Sequence, residues 1–255
     1  MILAVDIGNT NICVAGFSDS DTPVFINNYP DNRFHSSAEF LSALKSDISY
    51  EITGAVLCSV VPVLAVMVKE ALCEFVQGEI FVIDSEFNDG LRISGYDRRR
   101  LGNDRIADMT AVKALYGTPA VIFDMGTANT VSVLDRDGVF IGGMIMPGLG
   151  LSINALSSGT ALLPGIKPAQ PNSLLGQDTV SSINNGVIFS GAFALEGVIS
   201  RVEELLGEKV NAVVTGGAAK FIIPQCRRRV IYDEHLLLKG LKILYEKKLN
   251  DEGIR

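Results

Sequence analysis

Two short motifs, Asp6-Ile7-Gly8-Asn9-Thr10-Asn11 and Asp124-Met125-Gly126-Thr127-Ala128-Asn129, hold the residues best suited to chemistry. In each, an aspartate ends an apolar run and a glycine follows two positions later. Such a glycine lets the chain turn sharply, so that exposed N–H groups together with Asn9, Thr10 or Thr127 can hydrogen-bond phosphate oxygens. A carboxylate repels phosphate, so Asp6 is expected to act through hydrated Mg²⁺, and Asp124 is expected to hold a cation. One loop of this kind is more simply a hairpin turn whose Asp and Asn satisfy backbone amides. Two in matched settings point to a nucleotide clamp. Neither has the spacing of a Walker or a Rossmann loop.

Two further segments could complete such a site. Gly102-Asn103-Asp104-Arg105 stands where a loop enters a helix. Capping by Asn103 or Asp104 explains it without function. The functional reading makes Asp104 a general base for a substrate hydroxyl and has Arg105 pair an anionic or polar group. Phosphoryl transfer needs little beyond positioning, metal charge and one base, so this set is sufficient. Thr215-Gly216-Gly217-Ala218 follows a strand, and its glycines permit close approach of a base or ribose. His35 and His235 lie among polar residues and receive no role.

The elements around these motifs alternate. Apolar runs at Ile2–Val5, Ile12–Phe17, residues 52–61, residues 79–83, residues 120–123, residues 130–133 and residues 210–214 predict strands. Helices are expected after Ser36 and Ser37, from Pro62 to Phe75, from about Asp104 to Tyr116, near Leu151–Leu156, from Thr179 to Leu206, and from Tyr232 to Leu249. Residues 84–101 read as a surface loop, and Gly142-Gly143 as a turn leading towards the next helix. Alternating strands and helices indicate an α/β protein. Because both aspartate loops sit between an apolar strand and a β-rich one, the two halves are expected to be duplicated domains, residues 1–117 and 118–255.

Composition narrows the class. The chain has 255 residues, 47% apolar and 20% charged, enough for two modest domains with real cores. A net charge of −7 argues against nucleic acid as a partner. Arg98-Arg99-Arg100 and Arg227-Arg228-Arg229 read as solvated charge. Cys13, Cys58, Cys73 and Cys226 are scattered, which argues against a zinc site or disulfide framework. The start of the chain lacks the basic lead of a signal peptide, and no uninterrupted apolar run approaches the roughly 20 residues that span a bilayer. A cytoplasmic protein without a membrane partner is expected. The helix over Thr179–Leu206 has a wide apolar face that includes Ile183, Val187, Phe189, Phe193 and Leu195, which predicts a homodimer.

Taken together, the motifs resemble those of the type III pantothenate kinases. They are Asp6 to Asn11, Leu101 to Arg105, Asp124 to Ala128, Gly142-Gly143 with Pro147-Gly148, Gly159-Thr160-Ala161-Leu162-Leu163-Pro164, and Thr215-Gly216-Gly217, and they span nearly the whole chain in the family's order. The resemblance implies two RNase H-like domains of the actin-like ATPase type with an ATP cleft between them. It also implies transfer of the ATP γ-phosphate to pantothenate, the first step towards coenzyme A. By the same resemblance the ATP contacts are Asp6, Ile7, Gly8, Asn9, Thr10, Asn11, Ile12, Cys13, Gly126, Thr127, Gly216 and Gly217. The pantothenate contacts are Tyr96, Gly102, Asn103, Asp104, Arg105, Thr160 and Thr179, with Asp104 as proton acceptor. Asp124 would hold a monovalent cation, K⁺ or NH₄⁺, and Thr160 and Thr179 could serve the neighbouring subunit of a dimer. Tyr96-Asp97-Arg98-Arg99 lacks the proline usual in the family at this place, and Asn103 replaces a small residue or threonine. Two rival readings are a non-catalytic regulatory relative and a kinase for another small alcohol; intact Asp6, Asp104, Arg105 and Asp124 favour the kinase of pantothenate.

Overall fold

A computed structural model describes residues 1–84, Phe87 and residues 90–253, and these fall into two compact units. The first comprises Met1–Leu91, Tyr96–Leu115 and His235–Arg255; the second comprises Arg92–Gly95 and Tyr116–Glu234.

The first unit is built on five strands. β1 (Ile2–Ile7), β2 (Asn11–Phe17) and β3 (Phe25–Pro30) form an antiparallel meander. β4 (Gly54–Ser59) runs parallel to β1, and β5 (Ile80–Ile83) runs parallel to β4. The order is therefore β3-β2-β1-β4-β5. Side chains alternate along β1. Leu3, Val5 and Ile7 pack with Phe40 and Leu44 of α1 (Ser37–Asp47) and with Val68 and Leu72 of α2 (Pro62–Phe75). Ala4 and Asp6 therefore point to the opposite face, where α3 (Asn103–Leu115) and α7 (Leu236–Glu252) pack against β4 and each other. α1 begins where the Ser36 hydroxyl accepts a hydrogen bond from the Glu39 N–H at 3.3 Å, and α2 begins on Pro62, whose fixed φ and missing donor suit a first turn.

The second unit repeats the plan. β7 (Ala120–Met125), β8 (Ala128–Leu134) and β9 (Val139–Pro147) form the meander, and β10 (Asn211–Thr215) and β11 (Ile231–Tyr232) continue it in parallel. The order β11-β10-β7-β8-β9 is the first sheet's order read from the other edge, with β6 (Arg92–Ile93) added beside β9. Val121, Phe123 and Met125 pack with α4 (Leu149–Gly159), α5 (Thr179–Leu206) and α6 (Ala219–Ile222). The internal echo between the aspartate loops is thus a repeat of whole sheets.

Three sequence expectations change. A single cut after residue 117 does not describe the units, because α7 packs on β1, β4 and α3 and so joins the first unit. Gly142 and Gly143 lie inside β9, where the register against β8 shifts between Val133 and Leu134, so they serve a bulge instead of a turn. Of the expected loop at residues 84–101, positions 85, 86, 88 and 89 lie outside the described residues, while the rest carries β6 and a 3-10 turn at Arg98–Arg100.

Candidate active site

Asp6 is the penultimate residue of β1, and the turn after it closes with Gly8 N–H donating to Asn11 O at 3.0 Å. Asn9, Thr10 and Asn11 are exposed at the tip. Ile7 and Ile12 are fully buried in the core, so their part in binding any ligand is confined to the backbone. Across the sheet Asp6 stands in register between Cys13 on β2 and Cys58 on β4, which places the three side chains in one row. Burial, followed by the Asp6 carboxylate, pushes the Cys13 thiol up to about 12. Cys58 is held well above its ordinary value by burial first and then by the carboxylates of Asp6, Asp104 and Asp108. Both thiols are therefore neutral neighbours of Asp6, not nucleophiles.

Asp104 lies in the first turn of α3, a position that favours a carboxylate. Its Oδ1 accepts the Arg105 N–H at 2.8 Å, which orients the group. A side chain at Gly102 would collide with that same Oδ1, so glycine is required for the carboxylate to fold back over the helix start. Arg105 is 6 % exposed and hydrogen-bonds the Tyr96 hydroxyl. Burial lowers the pKa of its guanidinium, while Tyr96, Asp104 and Asp108 act to raise it. The first unit thus brings together Asp6, Tyr96, Gly102, Asn103, Asp104 and Arg105 around the end of one sheet and one helix.

In the second unit Asp124 is the penultimate residue of β7, in register with Thr215 on one side and Thr130 on the other. Gly126 and Thr127 are exposed at the turn. Gly216, at φ +91°, passes so close that a Cβ there would lie 2.6 Å from Asp124 Oδ1 and 2.5 Å from Met125 O. Only glycine fits beside these two oxygens, and Met125 O accepts the Ala218 N–H at 3.0 Å. Gly148 N–H donates to Thr127 O at 3.1 Å, which ties the start of α4 to the turn. The unit therefore assembles Asp124, Gly126, Thr127 and Gly216, with Gly217 exposed beside them. Thr160 and Thr179 stand elsewhere, exposed at the end of α4 and the first position of α5.

Two polar residues near this machinery escaped the sequence reading. Asp108 is 2 % exposed on α3, one turn beyond Asp104. Its spacing of four from Asp104 was visible and signals a shared helix face. Asn129 is 9 % exposed on β8, in the row Met125–Asn129–Met146. It is the last residue of the second motif, and nothing local in the sequence tells its buried orientation.

The doubled sheet, with aspartate turns at corresponding places in its two units, is the actin-like ATPase and sugar kinase fold. A Sinorhizobium meliloti protein described as a 2-dehydro-3-deoxygalactonokinase shares that fold, with a TM-score of 0.62 at 12% identity over 97% of this chain and 99% of its own. The sequence model for type III pantothenate kinase matches residues 2–201. A type III pantothenate kinase of Agathobacter rectalis is 32% identical over 100% of both chains, and one of Moorella thermoacetica is 35% identical over 97% of this chain and 99% of its own. The chain belongs to the type III pantothenate kinase family.

Proposed function

We infer that this chain is an ATP-dependent kinase that phosphorylates pantothenate to 4′-phosphopantothenate in coenzyme A biosynthesis. The observation that carries the reading is the full-length likeness to curated type III pantothenate kinases, with Asp6, Asp104, Arg105 and Asp124 all in place. In this reading Asp104 accepts the proton of the pantothenate hydroxyl as it attacks the γ-phosphorus, and the fold-back over Gly102 holds the carboxylate ready. Arg105, with its charge kept by Tyr96 and neighbouring carboxylates, pairs the substrate's anionic end. Gly102 and Asn103 contact pantothenate from the start of α3. The turns at Gly8–Asn11 and Gly126–Thr127 present N–H and hydroxyl donors to phosphate, and Gly216–Gly217 lies along the adenosine side.

Among the described residues, no group of three His, Cys, Asp or Glu side chains could hold a metal ion. A lone carboxylate with water and phosphate oxygens is the donor set that Mg²⁺ accepts, and Asp6 fits it. Asp6 would hold Mg²⁺ there through its water shell, and the ion would supply charge to offset that of the transferring phosphate. The Asp124 carboxylate, with Met125 O beside it and room left by Gly216, supplies oxygen donors of the kind that K⁺ or NH₄⁺ would take.

The chain acts as a cytoplasmic homodimer, without nucleic acid or membrane, in which Thr160 or Thr179 lies by the other subunit's pantothenate. The exposed apolar side chains Met144, Ile145, Leu151, Leu162, Val180 and Phe193 support a partner surface. α5 has the length and composition to cross a bilayer, but Ile188, Ala192, Leu195, Ile199 and Val202 bury its inner face in the second unit. Buried Asn184 also pairs with the backbone of Ala169 at 2.9 Å, which suits a core helix.

The deciding experiment is a coupled assay of ADP release with pantothenate and a panel of related primary alcohols. Pantothenate should give the highest kcat/KM. A preference for another alcohol would move the chain to a different acceptor, and no turnover with any of them would favour a regulatory relative.

A further inference from the structure

The second unit contains a cavity of about 230 Å³ between the helix-facing side of its sheet and α4, α5 and α6. Phe123, Met125, Leu149, Leu195 and Ile222 form an apolar wall, none of them more than 5 % exposed. Into this wall is set Asn129, nine-tenths buried, whose Oδ1 is fully buried and has no hydrogen-bond partner among the described residues. A buried amide oxygen left unpaired is costly, so such an atom marks a place where a donor is expected. Size permits one, since an apolar cavity of roughly 150 Å³ admits benzene. Among the described residues no charged side chain lines the cavity, so a charged ligand would lose its hydration without compensation. Strand alternation also separates it from Asp124: Met125, Asn129 and Met146 share the helix-facing side, and Asp124 and Thr130 point the other way.

We propose that this cavity is a binding site, distinct from the nucleotide loops, for a compact neutral molecule with an apolar body and one N–H or O–H group that donates to Asn129 Oδ1. The proposal does not depend on the kinase reading, because binding is measured directly on the purified chain without turnover.

Indole and benzothiophene are suitable probes, since they share a shape and differ in one N–H. Calorimetry, with the methyl resonances of Met125 and Met146 as a local report, should show saturable binding of indole. Benzothiophene should bind roughly three- to ten-fold more weakly, the value of one hydrogen bond. Asn129→Leu should remove that preference, and Ala194→Leu, which intrudes on the cavity from α5, should weaken both probes; the second variant keeps the test alive if the first does not fold. Saturating MgATP should leave indole binding unchanged. The proposal is overturned if neither probe binds saturably, if the wild type binds both equally, if Ala194→Leu has no effect, or if ATP displaces indole.

Discussion

At the scale of single residues, the proposed site turns on two carboxylates, Asp104 and Asp124, each with a glycine close beside it. Asp104 is oriented by the Arg105 N–H, and Gly102 leaves the room that this orientation needs. Asp104→Asn keeps the shape and the helix start but cannot take a proton. A loss in kcat on the order of 10²- to 10⁴-fold is expected, with ATP binding by calorimetry and the circular dichroism spectrum unchanged. Near wild-type turnover would remove Asp104 from the mechanism. Asp124, proposed to hold the monovalent cation, has its Oδ1 and Met125 O beside Gly216, where a side chain would collide with both. Activity should therefore rise with K⁺ or NH₄⁺ over Na⁺, and Asp124→Ala should leave a slow enzyme indifferent to the monovalent ion. Equal wild-type rates in sodium-only buffer would show that Asp124 holds no such cation. The aspartates and glycines were legible in sequence because their spacing is local. The neutral thiols of Cys13 and Cys58 beside Asp6 were not, because strand pairing puts them there.

At the scale of elements, local signals placed most boundaries and tertiary packing set the rest. Ser36 starts α1, Pro62 starts α2 and Asp178 starts α5, where its carboxylate accepts the Ser181 N–H at 2.9 Å. The far end of α5 is tied differently. Glu203 accepts from Arg228 at 2.7 Å and from Lys209 at 2.9 Å. These hydrogen bonds, Arg228's first, lower its carboxyl from 4.5 to about 2. A depressed folded pKa contributes stability that is full above pH 4.5 and lost as pH falls through 2. Glu203→Gln should thus lower the melting temperature at pH 7 by an amount worth less than about 1 kcal/mol, since the pair is solvent-screened. The difference from wild type should shrink between pH 4.5 and 2; a difference that persists unchanged at pH 2 would mean that packing, not charge, is at stake. One of the two arginine runs therefore holds a helix end as well as facing solvent.

At the scale of the whole molecule, the duplicated sheets and the apolar surface pose the question of assembly. Among the α5 residues expected to form a partner face, Ile183 and Leu195 are 7 % and 1 % exposed, spent on the core, while Phe193 is 56 % exposed. The exposed set is completed from other elements, notably Ile145 on β9 and Leu162 beyond α4. A homodimer sharing its sites predicts a specific complementation. Mixing Asp104→Asn and Thr179→Ala subunits should yield heterodimers that regain one intact site, and so part of the activity that each parent lacks. No recovery would show a self-contained site, and a 27.3 kDa species fully active on dilution would rule out the shared one.

What the sequence by itself determined is the part written in short-range pattern. Two aspartate turns between β-rich runs, helix starts at Ser36 and Pro62, and the full length of α5 all follow from residue type and spacing within one turn or strand. So did the family, because its motifs are contiguous. What only the tertiary structure decided depends on pairing between distant segments. α7 joins the first unit because its apolar face finds β1 and β4, which come from the opposite end of the chain. Gly142 and Gly143 extend a strand because β8 supplies the hydrogen bonds that a turn would otherwise have provided. Asn129 is buried because β7 and β9 flank it and helices cover it, and an amide in a polar motif carries no local mark of that fate.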